Sequence, residues 1–535
     1  MPTIHDTRPG PIIRLATRVL GRRLRLSPRR TDYRVTRDLA VPMRDGARLR
    51  TDLHLPVAGV VGTVLIRTPY GRANLPSAVI AGVYAERGYR VVIQSVRGTF
   101  GSEGDFDPGR SEAEDAADTV AWMRTQPWFD GQFATVGSSY LGFTQWALLA
   151  DPPPELRTSV IAMAPHDLAQ SGWSTGAFVL ADHLSWSFQL ARQEDGGSLR
   201  ALVRMAGMPR RLARPLRMVP LSAAGAHMFA DRAPWHEPWL RTPDVSDPYW
   251  RPVRLGHALA RVDVPVLLMT GWQDVFLTQT LDQYRQLADR GRGPALVVGP
   301  WTHADGGGQV LRETLRWLDG DRRPGVRVCV TGAGGWRELP AWPPPATERV
   351  LYLRPRAGLG DEPVTGDEPL ARFVFDPEHP TPTLGGRLLF APSGYRDDTA
   401  LAARDDVVTF TGRALPDDLE VIGVPRIELA HSADTGWADV WVRISEVRPD
   451  GRSRNVCDGY IGRAPGDAQP LTLDLDPIAH RFAAGARIRV AIAGGCHPRF
   501  ARNPGTGEPV WSADRLLPST HTIGAGSRLI LPIPG

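Results

Sequence analysis

Along the first third of the chain, short apolar runs alternate with stretches of helical spacing. Thr63–Arg67, Arg90–Gln94, Phe133–Val136 and Ser159–Met163 each read as a buried strand. Between them, Ala78–Tyr84, Glu112–Thr125 and Tyr140–Ala150 have the composition of helices. Strand, helix, strand in this rhythm predicts a parallel sheet. Ahead of it, residues 33–56 alternate, turn at Arg44-Asp45-Gly46 and alternate again, which predicts a β-hairpin. The rhythm breaks over 166–255, where tryptophans and arginine-rich helical stretches occur without a good strand. That segment reads as an inserted helical cap. The sheet resumes at Val264–Thr270 and Ala295–Gly299.

Around residue 320 the character changes. Proline-rich sequence (Pro340, Pro343, Pro344, Pro345) leads into short alternating runs such as Val421–Leu429, Val440–Ile444, Leu471–Leu475 and Ile488–Ile492. With no convincing helix among them, they predict an all-β sandwich or jelly roll. The expected plan is a basic arm over 1–30, an α/β domain over 31–165 and 256–320, the cap over 166–255, a connector over 321–344 and the sandwich over 345–535.

Composition narrows the class. A chain of 535 residues is too long for one core. All 63 basic residues are arginine, yet the net charge is only +5 and the excess sits at the N-terminus, so a nucleic-acid partner is not expected. Cys329, Cys457 and Cys496 are far apart and odd in number. They form no metal spacing and no disulfide framework, as in a reducing cytoplasm. No apolar run is long enough to span a bilayer. Arg14, Arg18, Arg22 and Arg23 interrupt Ile12, Ile13, Leu15, Val19 and Leu20, so a signal peptide is rejected; an arm packed on its own protein is expected instead.

The candidate chemistry centres on residues 132–150. A short strand, Phe133–Val136, meets a helix from Tyr140 through Gly137-Ser138-Ser139-Tyr140-Leu141-Gly142. This is the layout of a nucleophile elbow, which lifts a serine hydroxyl above a sheet. A side chain at either glycine would collide with the neighbouring strand or helix. The helix N-terminus behind Ser139 offers free N–H groups to a developing oxyanion. The second glycine follows Ser139 by three residues rather than two. A serine needs a base and an orienting acid. In chain order these are Asp274, just past the strand 264–270, and His303, just past the strand 295–299. Both lie at the C-terminal end of a predicted parallel strand, where open α/β sheets place their ligands.

These motifs resemble the X-Pro dipeptidyl-peptidase and cocaine-esterase-like (CocE/NonD) family of serine hydrolases, over nearly the whole chain from about residue 33. The matching stretches are Val41–Gly46, Thr68-Pro-Tyr70-Gly71, Arg97-Gly98 with Ser102-Glu103-Gly104, Gly137–Gly142, Gly271–Asp274 and Gly299–His303. In the sandwich, Leu384–Gly386, Pro449–Gly451 and Cys457–Gly459 recur. The resemblance implies an α/β-hydrolase with a galactose-binding-like jelly roll, needing no metal and no cofactor. It implies Ser139 as nucleophile, His303 as general base and acid, and Asp274 as the group orienting the imidazole. The oxyanion hole would combine the Tyr140 backbone N–H with the Tyr70 phenol. The substrate would be a small ester or amide, or alternatively the X-Pro end of a short peptide. No nucleic acid or membrane partner is implied, and an oligomer stays open.

For Arg97, Glu103 and Asp105 a structural ion pair is the expected role. Members that accept a free amino group need a carboxylate beside the acyl pocket; Glu103, Asp105, Asp107 or an acid of the cap would serve. Trp173, Trp186 and Phe188 are candidates for lining that pocket, or for core. A carbohydrate-binding protein is the rival class, but it leaves the serine, acid and histidine unexplained.

Overall fold

The computed structural model describes residues 7–535 apart from 197, 333, 391 and 468, so the first six residues of the expected arm lie outside it. After the helix α1 (Pro11–Arg23), β1 (Tyr33–Pro42) and β2 (Arg48–Pro56) form an antiparallel hairpin at one edge of a ten-stranded sheet. Seven parallel strands follow: β3 (Gly62–Thr68), β4 (Tyr89–Ser95), β5 (Phe133–Ser138), β6 (Leu156–Ala162), β7 (Val266–Gln273), β8 (Ala295–Thr302) and β9 (Gly325–Cys329). Antiparallel β10 (Trp336–Leu339) closes the far edge. The order is β1-β2-β4-β3-β5-β6-β7-β8-β9-β10.

The apolar runs are continuous because both faces of the sheet are covered. In β3, Val64 and Ile66 point into one core cluster while Leu65, between them, points into the other. The helices α2 (Leu75–Ala85), α3 (Glu112–Arg124) and α4 (Tyr140–Leu149) connect the first strands. Six short helices make the cap: α5 (Leu168–Trp173), α6 (Leu180–Arg192), α7 (Ser198–Leu212), α8 (Ser222–Phe229), α9 (His236–Arg241) and α10 (Gly256–Leu259). A lone antiparallel bridge between Asp167 and Arg254 pins its two ends together. Last come α11 (Leu277–Asp289) and α12 (Gly307–Leu318), which follow β7 and β8.

The stretch 321–344, read above as a connector, contains β9 and β10 and extends the sheet beyond β8. Val326 and Val328 point into the core at a period of two, so the pairing is driven by burial. From Ala346 onward the chain forms a nine-stranded sheet with two small ones of three and two strands, around its own core of Val, Leu and Ile.

The sandwich is joined to the hydrolase by hydrogen bonds to its main chain. Thr331 and the strand Ile478–Phe482 exchange bonds through Ala479 and Arg481, both at 2.9 Å. In the cap, Ala181 N–H donates to the Pro498 carbonyl at 3.0 Å. Gln273, at the end of β7, donates through Nε2 to the Val456 carbonyl at 3.1 Å.

Candidate active site

The elbow stands between β5 and α4. Ser139 has φ 59° and ψ −129°, a backbone conformation that L-residues rarely adopt, and it projects from the turn without capping α4. Its N–H is held by the carbonyls of Ala162 and Met163 at 2.9 and 3.1 Å. The flanking glycines are sterically required. A Cβ on Gly142 would sit 2.3 Å from the Ala164 Cβ, and one on Gly137 would sit 2.5 Å from the Leu141 Cβ. Tyr140 is the first residue of α4, so its N–H has no acceptor within the helix.

The Tyr140 side chain is anchored below the elbow. Its hydroxyl donates to Glu112 Oε1 at 2.9 Å and accepts from the Gly109 N–H at 2.8 Å. Glu112 in turn pairs with buried Arg67 at 2.9 Å. Burial raises the Glu112 pKa, against the pull of Arg67 and the Tyr140 hydrogen bond. This network fixes the first turn of α4 and with it the direction of the Tyr140 N–H.

The structure brings His303 and Asp274 together: His303 Nδ1 lies 2.6 Å from Asp274 Oδ1. The other carboxylate oxygen accepts from the Thr270 hydroxyl at 2.9 Å and the Phe276 N–H at 3.3 Å. Asp274 is fully buried, and both of its carboxylate oxygens are engaged by these neighbours. The Phe276 ring packs edge-on against the imidazole with centroids 5.4 Å apart.

Tyr70 follows β3 on a loop tied down by Asn74 and Gln193, which donate to the carbonyls of Tyr70 and Pro69 at 2.5 and 2.8 Å. Its side chain lines the same cavity as Ser139. The Trp186 indole N–H, a donor only, reaches Tyr70 Oη at 3.1 Å. That bond occupies a lone pair of the phenol and leaves its proton free for another acceptor. Burial raises the Tyr70 pKa, outweighing the Trp186 hydrogen bond, so the phenol stays a proton donor.

Ser139, Tyr70 and Tyr140 line a cavity of about 650 Å³ between the sheet, the cap and the sandwich. Trp186, Trp239 and Phe276 form its hydrolase side, and Leu389, Tyr460 and Phe500 its sandwich side. Trp173 and Phe188 are buried in the core instead. Asp182 of α6 also faces the cavity, accepting the Leu389 N–H at 2.9 Å. Desolvation pushes its pKa up to about 6, while Arg499, His303 and Arg387 pull the other way. Arg97 pairs with Asp115 and Asp45, and Glu103 with Arg48 at 2.8 Å on the surface. The sandwich wall escaped the sequence reading, although the motifs Leu384–Gly386 and Cys457–Gly459 lead directly into Arg387 and Tyr460.

Sheet order, elbow, cap and sandwich define an α/β-hydrolase with an all-β C-terminal domain. Residues 45–305 match the X-Pro dipeptidyl-peptidase (S15) family, and residues 319–531 match the X-Pro dipeptidyl-peptidase C-terminal non-catalytic domain. The chain belongs to this family and is a serine hydrolase. It is 28% identical to the cocaine esterase of Rhodococcus sp. (strain MB1 Bresler), with 94% of this chain and 99% of that protein aligned. Among solved structures, it superposes on an α-amino acid ester hydrolase with a TM-score of 0.81 and 24% identity. An aminopeptidase from a marine-sediment Thaumarchaeota archaeon gives 0.80 and 23%. In both pairs 94% of this chain and 97% of the other are covered, so the whole two-domain fold is shared.

Proposed function

We propose that this hydrolase is an esterase for carboxylic esters with a bulky apolar acyl group, working through Ser139, His303 and Asp274. Ser139 Oγ attacks the acyl carbon as His303 takes its proton, and Asp274 holds the imidazole in the accepting tautomer. The tetrahedral oxyanion is met by the Tyr140 N–H and the Tyr70 phenol. His303 returns the proton to the departing alkoxide, and water attacks the acyl-enzyme by the reverse sequence.

The observation that carries the substrate class is the cavity wall: aromatic side chains, among them Trp186, Trp239, Phe276, Tyr460, Phe500 and Tyr70, line the cavity into which the elbow opens. The similarity to a cocaine esterase along almost the full chain agrees with it. A second reading, an X-Pro dipeptidyl-peptidase, draws on Asp182 as counter-charge for a substrate ammonium. Arg387 and Arg499 already act on that carboxylate, which weakens it as an ammonium site. Three buried, unpaired cysteines support a reducing, cytoplasmic setting.

The test is a panel of p-nitrophenyl esters with aliphatic and aromatic acyl groups, beside an X-Pro p-nitroanilide. Aromatic esters should turn over fastest, and Ser139→Ala should abolish both turnover and fluorophosphonate labelling while Ser138→Ala keeps them. Faster turnover of the anilide would replace the esterase reading with the peptidase one. Labelling that survives Ser139→Ala would overturn the nucleophile.

A further inference from the structure

The helix α1 is held to the protein by one face. Thr17 is buried, Leu20 and Leu24 pack on the core, and Arg312 Nε donates to the Leu24 carbonyl at 3.1 Å. The other face is apolar and open, with Ile12, Leu15 and Val19 exposed by 70%, 64% and 54%. At about 100° per residue these three form one stripe, roughly 140° around the helix from the packed face. By the same geometry Arg18 and Arg22 border the stripe on one side and Arg23 on the other. Arg8, Arg22, Arg23 and Arg25 have no ion-pair partner among the described residues.

A second apolar set adjoins this corner. Val57, Val60 and Val61, in the loop between β2 and β3, are also exposed. Val61 N–H donates to the Gly88 carbonyl at 2.9 Å, and the guanidinium of the preceding residue, Arg87, lies against Gly21 of α1. The loop and α1 therefore flank the same end of α2. Residues 1–30 contain eight arginines against Asp6 alone, in a chain whose total is +5, so the rest of the protein carries a small negative balance.

We propose that this corner is a docking surface for an anionic lipid bilayer, with α1 lying in the headgroup plane. An apolar stripe flanked by arginines suits that interface: the aliphatics enter the acyl boundary and the guanidiniums meet the phosphates. A second copy of the chain fits less well, since a two-fold contact would set the same arginines against each other. The sequence alone favoured an arm packed on its own protein. The arm does pack, but on one face only.

The experiment is co-sedimentation of the full chain with vesicles of phosphatidylcholine, alone or mixed with phosphatidylglycerol, at low and high salt. Binding should require phosphatidylglycerol and disappear at high salt. The triple variant Ile12→Ser, Leu15→Ser, Val19→Ser should bind about tenfold more weakly, as the apolar contribution is lost. Its ester hydrolysis and melting temperature should stay at wild-type values, because all three side chains face solvent. Arg22→Gln with Arg23→Gln should weaken binding too. No wild-type binding to anionic vesicles at low salt, or equal binding by the triple variant, would overturn the proposal. So would ultracentrifugation in which the wild type is a dimer and the triple variant a monomer.

Discussion

Tyr70 carries the sharpest question at the scale of single residues. In the proposed mechanism its phenol meets a full negative charge only in the tetrahedral intermediate. Tyr70→Phe should therefore lower kcat on the order of 100-fold, about 3 kcal/mol, with little change in KM. Steady-state kinetics on one soluble ester decide it, and a near-normal kcat would leave the oxyanion hole without its second donor. Trp186 acts on the same phenol, which the sequence could not reveal. Nothing in the spacing of Tyr70 and Trp186 shows that an indole N–H and a phenol meet across the cap, 116 residues apart.

Between β5 and α4 the elbow depends on an absence of atoms. Gly142→Ala would place a methyl carbon 2.3 Å from the Ala164 Cβ, just past β6, and 3.1 Å from Ile161 Cγ2 at its end. The helix must move away, so about 2 kcal/mol of stability should be lost, together with most activity, because the Tyr140 N–H moves with the helix. Thermal melts and kcat measured on the same sample would show whether the two losses coincide. This part of the protein was legible early because its chemistry is local: a strand, two glycines and a serine within ten residues. Asp274 and His303 stood out for a similar reason, each at the end of a continuous apolar run. The strands β9 and β10 were hidden because proline and glycine surround them, although Val326 and Val328 already alternate. The sandwich wall of the cavity was harder. Its residues come from loops whose position depends on how two domains dock, and no local pattern encodes that.

Across the whole molecule, two predictions concern how the parts hold together. Hydrogen bonds from Thr331, Gln273 and Ala181 cross between hydrolase and sandwich, so limited proteolysis should not release two stable halves. An active N-terminal fragment would contradict that. The second prediction is acid sensitivity. Burial holds His54, His236, His480 and His521 neutral, with pKa pushed down to about 3, and His183, His431 and His497 to about 4. In the unfolded chain each takes a proton near pH 6.5, so below that the unfolded state binds more protons and stability falls. Each group contributes up to about 1.4 kcal/mol per pH unit. Asp182 and Asp439, raised to about 6 by desolvation, work in the opposite direction, since the folded state takes their protons first. Burial also raises Glu86, Asp107 and Glu112, which work the same way, but seven histidines outweigh these five carboxylates. The melting temperature should drop steeply from pH 7 to pH 5, and a flat profile would contradict it.

The wall that Leu389, Tyr460 and Phe500 present to Ser139 has an evolutionary consequence. A domain with no reacting atom of its own shapes what reaches the serine, so substrate choice can drift while the catalytic half is under strict constraint. Chimeras that exchange residues 346–535 between this chain and a relative should inherit acyl preference from the sandwich donor. Natural recombination near residue 345 would give the same outcome, producing new specificities in one step and without a single change beside Ser139.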